Sequence, residues 1–180
     1  MKKLVLVAIL VFVSVVAVSA LDFHVTPSAN LNLGIGNYFR GASAGGQLFM
    51  DFGFLAIGLE VKADYDTAFG NFNVPIMLLL GWRSFWLGAG YTIGVTPMNV
   101  TDSSGTVVWA YGGFPNTYAM GFNLARIPAG PGAITIPIEL SYTLNGPLNA
   151  NDPIVQQLGA VAGFFLGLKA SVGVGYEIKL

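Results

Sequence analysis

The chain has 180 residues, of which 54% are hydrophobic and only 9% are charged. An ordinary soluble domain carries about 25% charged residues, so these few charges could hardly cover a water-soluble surface. The absence of cysteine excludes disulfides and thiolate metal sites, and the absence of a basic stripe argues against nucleic acid as a partner.

Residues 1–20 have the pattern of a secretory signal peptide. Two lysines precede an apolar run, and residues 18–20 have the small-residue spacing of a signal peptidase site. A membrane anchor helix is the alternative, but the run is short for a span of about 20 residues. We therefore expect export and a mature domain of residues 21–180, which keeps six basic and nine acidic residues and a net charge of −3.

Alternation with a period of two runs through the mature chain, as expected where successive strand residues point to opposite faces. It is clearest over residues 166–180, where apolar residues at even positions alternate with glycine or polar residues at odd positions. The eight predicted strands cover residues 23–38, 44–52, 55–65, 72–81, 85–95, 117–126, 134–144 and 166–180.

Most of these segments are long enough for a tilted strand to cross hydrocarbon, which takes about 9 to 11 residues. A closed barrel leaves no backbone group unpaired in lipid. The sequence therefore predicts an all-β fold, an eight-stranded antiparallel up-and-down transmembrane β-barrel. A soluble barrel of the lipocalin type is the alternative, but it would need a well-charged outer face, whereas the polar face here is mainly glycine.

The connections between the predicted strands alternate in length. If the N-terminus is periplasmic, tight links lie on the periplasmic side and longer loops lie outside. The links are residues 52–54, 81–84 and 127–132, and the loops are residues 39–43, 65–71, 96–116 and 145–165.

In the fourth outer loop, Asp152 and Pro153 precede apolar residues at helical spacing, which predicts a short helix. An early start of the eighth strand is the open alternative.

Two central segments resemble a known group of membrane proteins. Residues 74–81, VPIMLLLG, and 85–91, FWLGAGY, look like paired strands of the small outer membrane β-barrel (porin-like, OmpA/OmpX/OmpW-like) families. The C-terminus is similar to the signal read by the barrel assembly machinery, through Ser171, Gly173, Tyr176, Ile178 and Leu180, although an aromatic residue is usual at the last position. The resemblance implies a bacterial outer membrane location, with outer membrane lipid and that machinery as partners, but it specifies no activity.

His24 is the one histidine, and Asp22 is the only acid near it in the sequence. Catalysis would need a nucleophile and an orienting acid beside it, and a zinc site would need further ligands. We therefore expect a solvated histidine at the rim, with no catalytic, metal or cofactor site and no enzymatic activity. A membrane lipid-modifying enzyme is the most distant alternative.

Seven charged residues fall on the face that would line the lumen: Glu60, Lys62, Asp64, Glu139, Lys169, Glu177 and Lys179. Charges in so narrow an interior are costly unless they are paired. We expect Glu60, Lys62, Glu139 and Lys169 to meet there as ion pairs. They could form a gate against water and ions, or they could simply neutralise one another.

Pro75 and Pro137 lie inside predicted strands, at positions whose side chains would face the lumen. Proline at such a position removes a hydrogen bond of the sheet. One interpretation is a weak wall that opens laterally into the bilayer for a small hydrophobic ligand, with Met77, Leu79 and Trp86 as apolar lining. A plain bulge is the alternative.

The third outer loop carries apolar and aromatic residues that could form a contact patch, namely Val100, Val107, Val108, Trp109, Tyr111 and Phe114.

Taken together, these features predict a non-enzymatic integral outer membrane protein, either structural or allowing passive passage of small molecules, including hydrophobic ones. A surface adhesin that contacts a host through the outer loops is the alternative. A wide porin is disfavoured, because side chains fill a barrel of eight strands.

Overall fold

The computed structural model describes residues 21–34, 37–67, 71–82, 84–94, 116–143 and 167–180. Within them, eight antiparallel strands pair in sequence order and the first pairs with the last, so the sheet closes into a barrel. The predicted all-β, eight-stranded antiparallel barrel is confirmed. The strands are β1 (Asp22–Gly34), β2 (Asn37–Asp51), β3 (Ala56–Asp66), β4 (Asn71–Trp82), β5 (Phe85–Gly94), β6 (Thr117–Ala129), β7 (Gly132–Thr143) and β8 (Leu168–Lys179).

Several predictions lie outside these ranges. They are the signal peptide of residues 1–20, the aromatic patch within residues 96–116 and the short helix after Asp152 and Pro153. All three stay predictions. In the part of the chain that the structure describes, no helix is long and apolar enough to cross a membrane.

The alternation of the sequence separates the lumen of the barrel from its outer face. Along β3, the side chains of Glu60 and Lys62 are buried in the lumen, whereas those of Leu59 and Val61 are exposed outside. The other strands follow the same division. Among the described residues, the outer face is apolar or aromatic, and the charged side chains point into the lumen or lie at a rim.

The two rims differ. At one, which we call the turn rim, strands are joined by residues 52–55, 83–84 and 130–131. Gly53 and Gly130 have φ angles of 83° and 59° there, a backbone conformation that favours glycine in tight turns. The opposite end, where the longer connections lie, is called the loop rim.

The prediction of a loop over residues 39–43 was wrong, because β2 begins at Asn37 and pairs through this segment with both neighbours. The pattern was misleading because the alternation changes phase at Gly41, whose φ of 122° marks an irregularity in the ladder. Arg40 and Gly41 are therefore both buried, although they are adjacent in the sequence. Correspondingly, β1 ends at Gly34 and not at residue 38.

An apolar cluster fills the lumen nearer the turn rim: Phe49, Ala56, Met77, Leu79, Trp86 and Ala119. Trp86 on β5 is completely buried and packs against Gly121, its ladder partner on β6. A Cβ atom at Gly121 would overlap the indole ring. The glycine therefore makes the space that the tryptophan occupies.

Replacing Gly121 with valine is expected to lower the free energy of unfolding by about 1–3 kcal/mol, because the added side chain forces Trp86 out of its position. Ala89→Val on the outer face of β5 is the matched control and should change stability by less than about 0.5 kcal/mol. Urea unfolding of the protein refolded into lipid vesicles measures both. Equal midpoints for the two variants would contradict this packing.

Candidate functional site in the barrel lumen

A lysine that contacts two carboxylates crosses the lumen. Lys62 Nζ lies 2.8 Å from Glu60 Oε1 and 2.7 Å from Glu139 Oε2. Glu60 also accepts a hydrogen bond of 2.5 Å from Gln47 Nε2. β3 supplies Glu60 and Lys62, whereas Glu139 belongs to β7, four strands away around a barrel of eight. The contact therefore ties opposite walls of the barrel together.

Lys169 does not join this group, although the sequence placed it there. Its ammonium pairs with Asp64, near the loop rim. The separation follows from position, because Lys169 is the second residue of β8 at the loop rim, whereas Glu139 lies farther toward the middle of β7. The structure thus brings together Glu60, Lys62 and Glu139. Lys169 and Asp64 form a second, separate pair nearer the loop rim.

A third ion pair, which sequence reasoning missed, lies at the loop rim. Arg40 Nε is 3.0 Å from Asp66 Oδ2, and Arg40 Nη1 donates a hydrogen bond of 3.1 Å to the carbonyl oxygen of Leu168. These contacts connect β2, β3 and β8. Arg40 was not identified because the phase change at Gly41 hides its inward direction. A bulge-forming glycine beside an arginine was the only available signal.

The space between these pairs forms a small polar cavity open toward the loop rim. Its volume of about 40 Å³ holds roughly three water molecules. One wall carries the Arg40 and Lys169 ion pairs. The other carries hydroxyl groups, with Thr92 Oγ1 2.6 Å from Thr117 Oγ1 and both residues bonded to Asn116 Oδ1. Such a cavity suits water or a very small polar solute.

The apolar cluster closes the lumen on the turn side of the Lys62 group. Phe49 and Leu79 are ladder partners of Gly58, one inward step along β3 from Glu60. Phe49 meets Trp86 in an edge-to-face contact with ring centroids 6.3 Å apart. Phe49, Leu79 and Trp86 are each at most 1% exposed, so water reaches them from neither rim.

His24 lies beside this cluster, opposite Phe49 in the β1–β2 ladder, and the prediction that it is solvated was wrong. It is 2% exposed, and its Nδ1 is 3.1 Å from Glu177 Oε1. Glu177 also accepts hydrogen bonds from Arg126, at 2.9 Å from Nη2 and 3.2 Å from Nε. The histidine is buried because its ladder partner is Phe49, a member of the apolar cluster.

Lys179, also predicted to face the lumen, instead lies at the turn rim. Its ammonium is 2.6 Å from Asp22 Oδ2, and both side chains are about half exposed. The strand reaches the end of the barrel here, so parity no longer places a side chain inside. Within the described ranges, no group of three or more His, Asp or Glu side chains could hold a metal ion.

Pro75 and Pro137 each interrupt a ladder. β3 and β4 are paired up to Val61 and Ile76 and again from Asp64 and Asn73, with Pro75 in the gap. β7 and β8 are unpaired over Ile136 and Pro137. Pro75 is buried in the lumen. The predicted lining residues Met77, Leu79 and Trp86 belong to the apolar cluster.

Of the two prolines, only Pro137 has an irregular ladder to both neighbouring strands. β6 has one extra residue between Asn123 and Arg126, opposite β7, and the ladder to β8 is missing on the other side. On the outer face, an apolar groove reaches this break through Ile136, Gly173 and Val174. The same groove also reaches Ala63, which lies in the β3–β4 gap beside Pro75. The two prolines therefore differ in the number of irregular ladders beside them, one at Pro75 and two at Pro137.

The residues of the predicted assembly signal lie along β8 and just beyond it. Ser171 is buried in the lumen, and Gly173 packs so closely on Asn30 of β1 that no side chain would fit. The Tyr176 hydroxyl donates a hydrogen bond to the carbonyl oxygen of Ala129, and the Leu180 amide donates one to the carbonyl oxygen of Phe23. Recognition by an assembly machinery stays a prediction.

Replacing Lys62 with methionine is expected to destabilise the barrel by about 3–5 kcal/mol, because Glu60 and Glu139 are then buried without a positive charge. The triple variant Glu60→Gln, Lys62→Met, Glu139→Gln should regain most of the loss. Lys179→Met, at the rim, is the control and should cost less than about 1 kcal/mol. Urea unfolding measures all three, and equal effects of Lys62→Met and Lys179→Met would contradict the buried bridge.

No protein-family model matches the sequence, and no curated protein matches it either. The resemblance to small outer membrane β-barrel families therefore stays a prediction. Function has to be inferred from the barrel and its lumen.

Proposed function

We propose that this chain is an integral protein of a bacterial outer membrane, a structural barrel whose lumen is closed to water and ions. The main support for the proposal is the apolar character of the outer face. Leu78, Leu87 and Val174, on three different strands, are 66%, 52% and 60% exposed. Surfaces this apolar are favourable in lipid and unfavourable in water.

The position of the charges supports the same placement. A soluble barrel would carry its charges outside and its apolar residues within. Here Lys62 and Glu139 are paired in the lumen, and the outer residues flanking them along β3 and β7 are apolar. Pairing of β1 with β8 also removes the two outer edges that an open sheet would expose to lipid.

Cell fractionation tests the proposed location. Produced with residues 1–20 in a Gram-negative bacterium, the protein should be recovered in the outer membrane and should migrate differently on gels before and after boiling. A variant without residues 1–20 should remain in the cytoplasm. Recovery of the folded full-length product in the soluble periplasmic fraction would contradict the proposal.

Conductance tests the closed lumen. The protein should be silent in planar bilayers, and Glu139→Ala should also be silent, because the apolar cluster still blocks the path. Combining Glu139→Ala with Phe49→Ala and Trp86→Ala removes both barriers and should produce channels. Leu87→Ala on the outer face is the matched control and should be silent. Silence of a triple variant that still folds would contradict two barriers in series.

A second candidate function is passage of small apolar molecules through the wall beside Pro137. It is favoured by one observation, the coincidence of the interrupted β7–β8 ladder with the apolar groove on the outer face. A molecule dissolved in the bilayer could reach the break along this groove without crossing the apolar cluster.

Uptake of a hydrophobic dye into liposomes containing the protein tests this candidate. Pro137→Ala restores a backbone donor and should reduce uptake by closing the ladder. Pro128→Ala is the control and should leave uptake unchanged, because no β6 residue lines the groove. Equal uptake by the parent protein and both variants would rule out the route.

A further inference from the structure

The turn rim contains a notch beside β6. The β5–β6 ladder ends at the pair Phe85 and Phe122, followed by one bond from the Asn123 amide to the carbonyl oxygen of Ser84. β6 nevertheless continues to Ala129, paired with β7 alone. Over residues 124–129, no described strand pairs with β6 on the side where β5 would continue.

This notch is a cavity of about 280 Å³. Asp51 and Gly53 from the β2–β3 turn form one wall, and Trp82 and Ser84 from the β4–β5 turn form another. The two turns are held together, because Trp82 Nε1 donates a hydrogen bond of 2.9 Å to the carbonyl oxygen of Phe54. The cavity thus lies between two hydrogen-bonded turns, in the position where a continuing β5 would lie.

The register shows which backbone groups of β6 face the notch. The tight turn at residues 130–131 makes Ala129 and Gly132 a hydrogen-bonded pair, so Ile127 and Ile134 form the next one. The N–H and C=O groups of the alternate residue Arg126 therefore point away from β7, into the notch. Pro128 also faces that side, and proline, which cannot donate, is typical of strand edges.

The side chain of Arg126 is fixed as well. Its two hydrogen bonds to Glu177 hold it against β8, while half of it remains exposed to solvent. The edge therefore offers a rigid backbone donor and acceptor at a defined position. Unpaired strand edges of this kind are templates for an added strand.

From these observations we infer that the notch binds an extended segment of another polypeptide, which adds to β6 as a strand in the position of a continued β5. Side chains of such a segment alternate between the outer face, beside Leu124 and Ile127, and the cavity with Asp51 and Arg126. The outer residues are apolar, and the described lining of the cavity includes one charge of each sign, Asp51 and Arg126. A segment of alternating apolar and uncharged polar residues fits this surface.

A second barrel does not fit the notch. Its equivalent edge lies in its own notch, behind its own β4–β5 turn, so two copies cannot bring these edges together. The long connections of this chain, residues 95–115 and 144–166, join strands at the opposite rim. Residues 1–20 precede β1 at the turn rim, but they form the predicted signal peptide and are absent from the mature chain used in the test. The proposed occupant is therefore a separate extended peptide. The inference concerns the turn rim and goes beyond the proposed structural role.

Hydrogen exchange of backbone amides tests the inference, with the mature chain folded in detergent micelles. The probe is a short peptide of alternating threonine and valine with blocked ends. At millimolar concentration it should slow exchange of the Arg126 amide by about tenfold or more. The Ile127 amide serves as an internal control and should not change, because it already bonds to β7.

The matched control is a second peptide of the same sequence that carries N-methyl groups along both of its edges. It has the same side chains but cannot pair as a strand, so it should leave the Arg126 amide unprotected. Three results would overturn the inference: no protection of Arg126 by the first peptide, equal protection by both peptides, or protection spread over amides of several strands.

Discussion

The contact between Lys62 and Glu139 spans the barrel from β3 to β7, and the arrangement of the remaining lumen follows from it. An apolar outer face leaves the interior as the only place for charged side chains between the rims. Each buried charge then requires a partner, since an unpaired one costs several kcal/mol. Some of the resulting contacts join strands that are not neighbours: the ion pair of Lys169 of β8 with Asp64 of β3, and the hydrogen bond of Arg40 of β2 to the backbone of β8.

These ties and the apolar cluster divide the lumen into layers. Ion pairs and hydroxyl groups occupy the side of the loop rim around a cavity with room for about three water molecules, and the cluster around Phe49 and Trp86, with the buried His24 and Glu177 beside it, lies toward the turn rim. The cluster excludes water because aromatic rings fill the space, whereas the polar groups satisfy one another. A barrel built in this way is rigid and closed, which suits a structural role better than conduction. The remaining irregularities lie in the wall, beside Pro137, and at the rim, beside β6.

Much of this architecture could be read from the sequence, because strand parity alone separates lumen from outer face. Parity placed Glu60, Lys62 and Glu139 inside, and it needs only an uninterrupted strand to do so. It failed where the ladder is irregular: the phase change at Gly41 hid Arg40. Parity also says nothing about depth along the barrel. Which charges meet depends on the stagger of the strands, so the pairing of Lys169 with Asp64 and the burial of His24 beside Phe49 required the three-dimensional register.

Fluorescence quenching of single tryptophans in lipid bilayers tests the central claim, an apolar face toward lipid around a closed lumen. One variant keeps only Trp86, through Trp82→Phe and Trp109→Phe. A second adds Trp86→Phe and Leu87→Trp, which moves the indole by one residue to the outer face. Brominated lipid should quench the tryptophan at position 87, and neither brominated lipid nor aqueous acrylamide should quench Trp86. Quenching at position 87 by acrylamide and not by lipid would contradict the account.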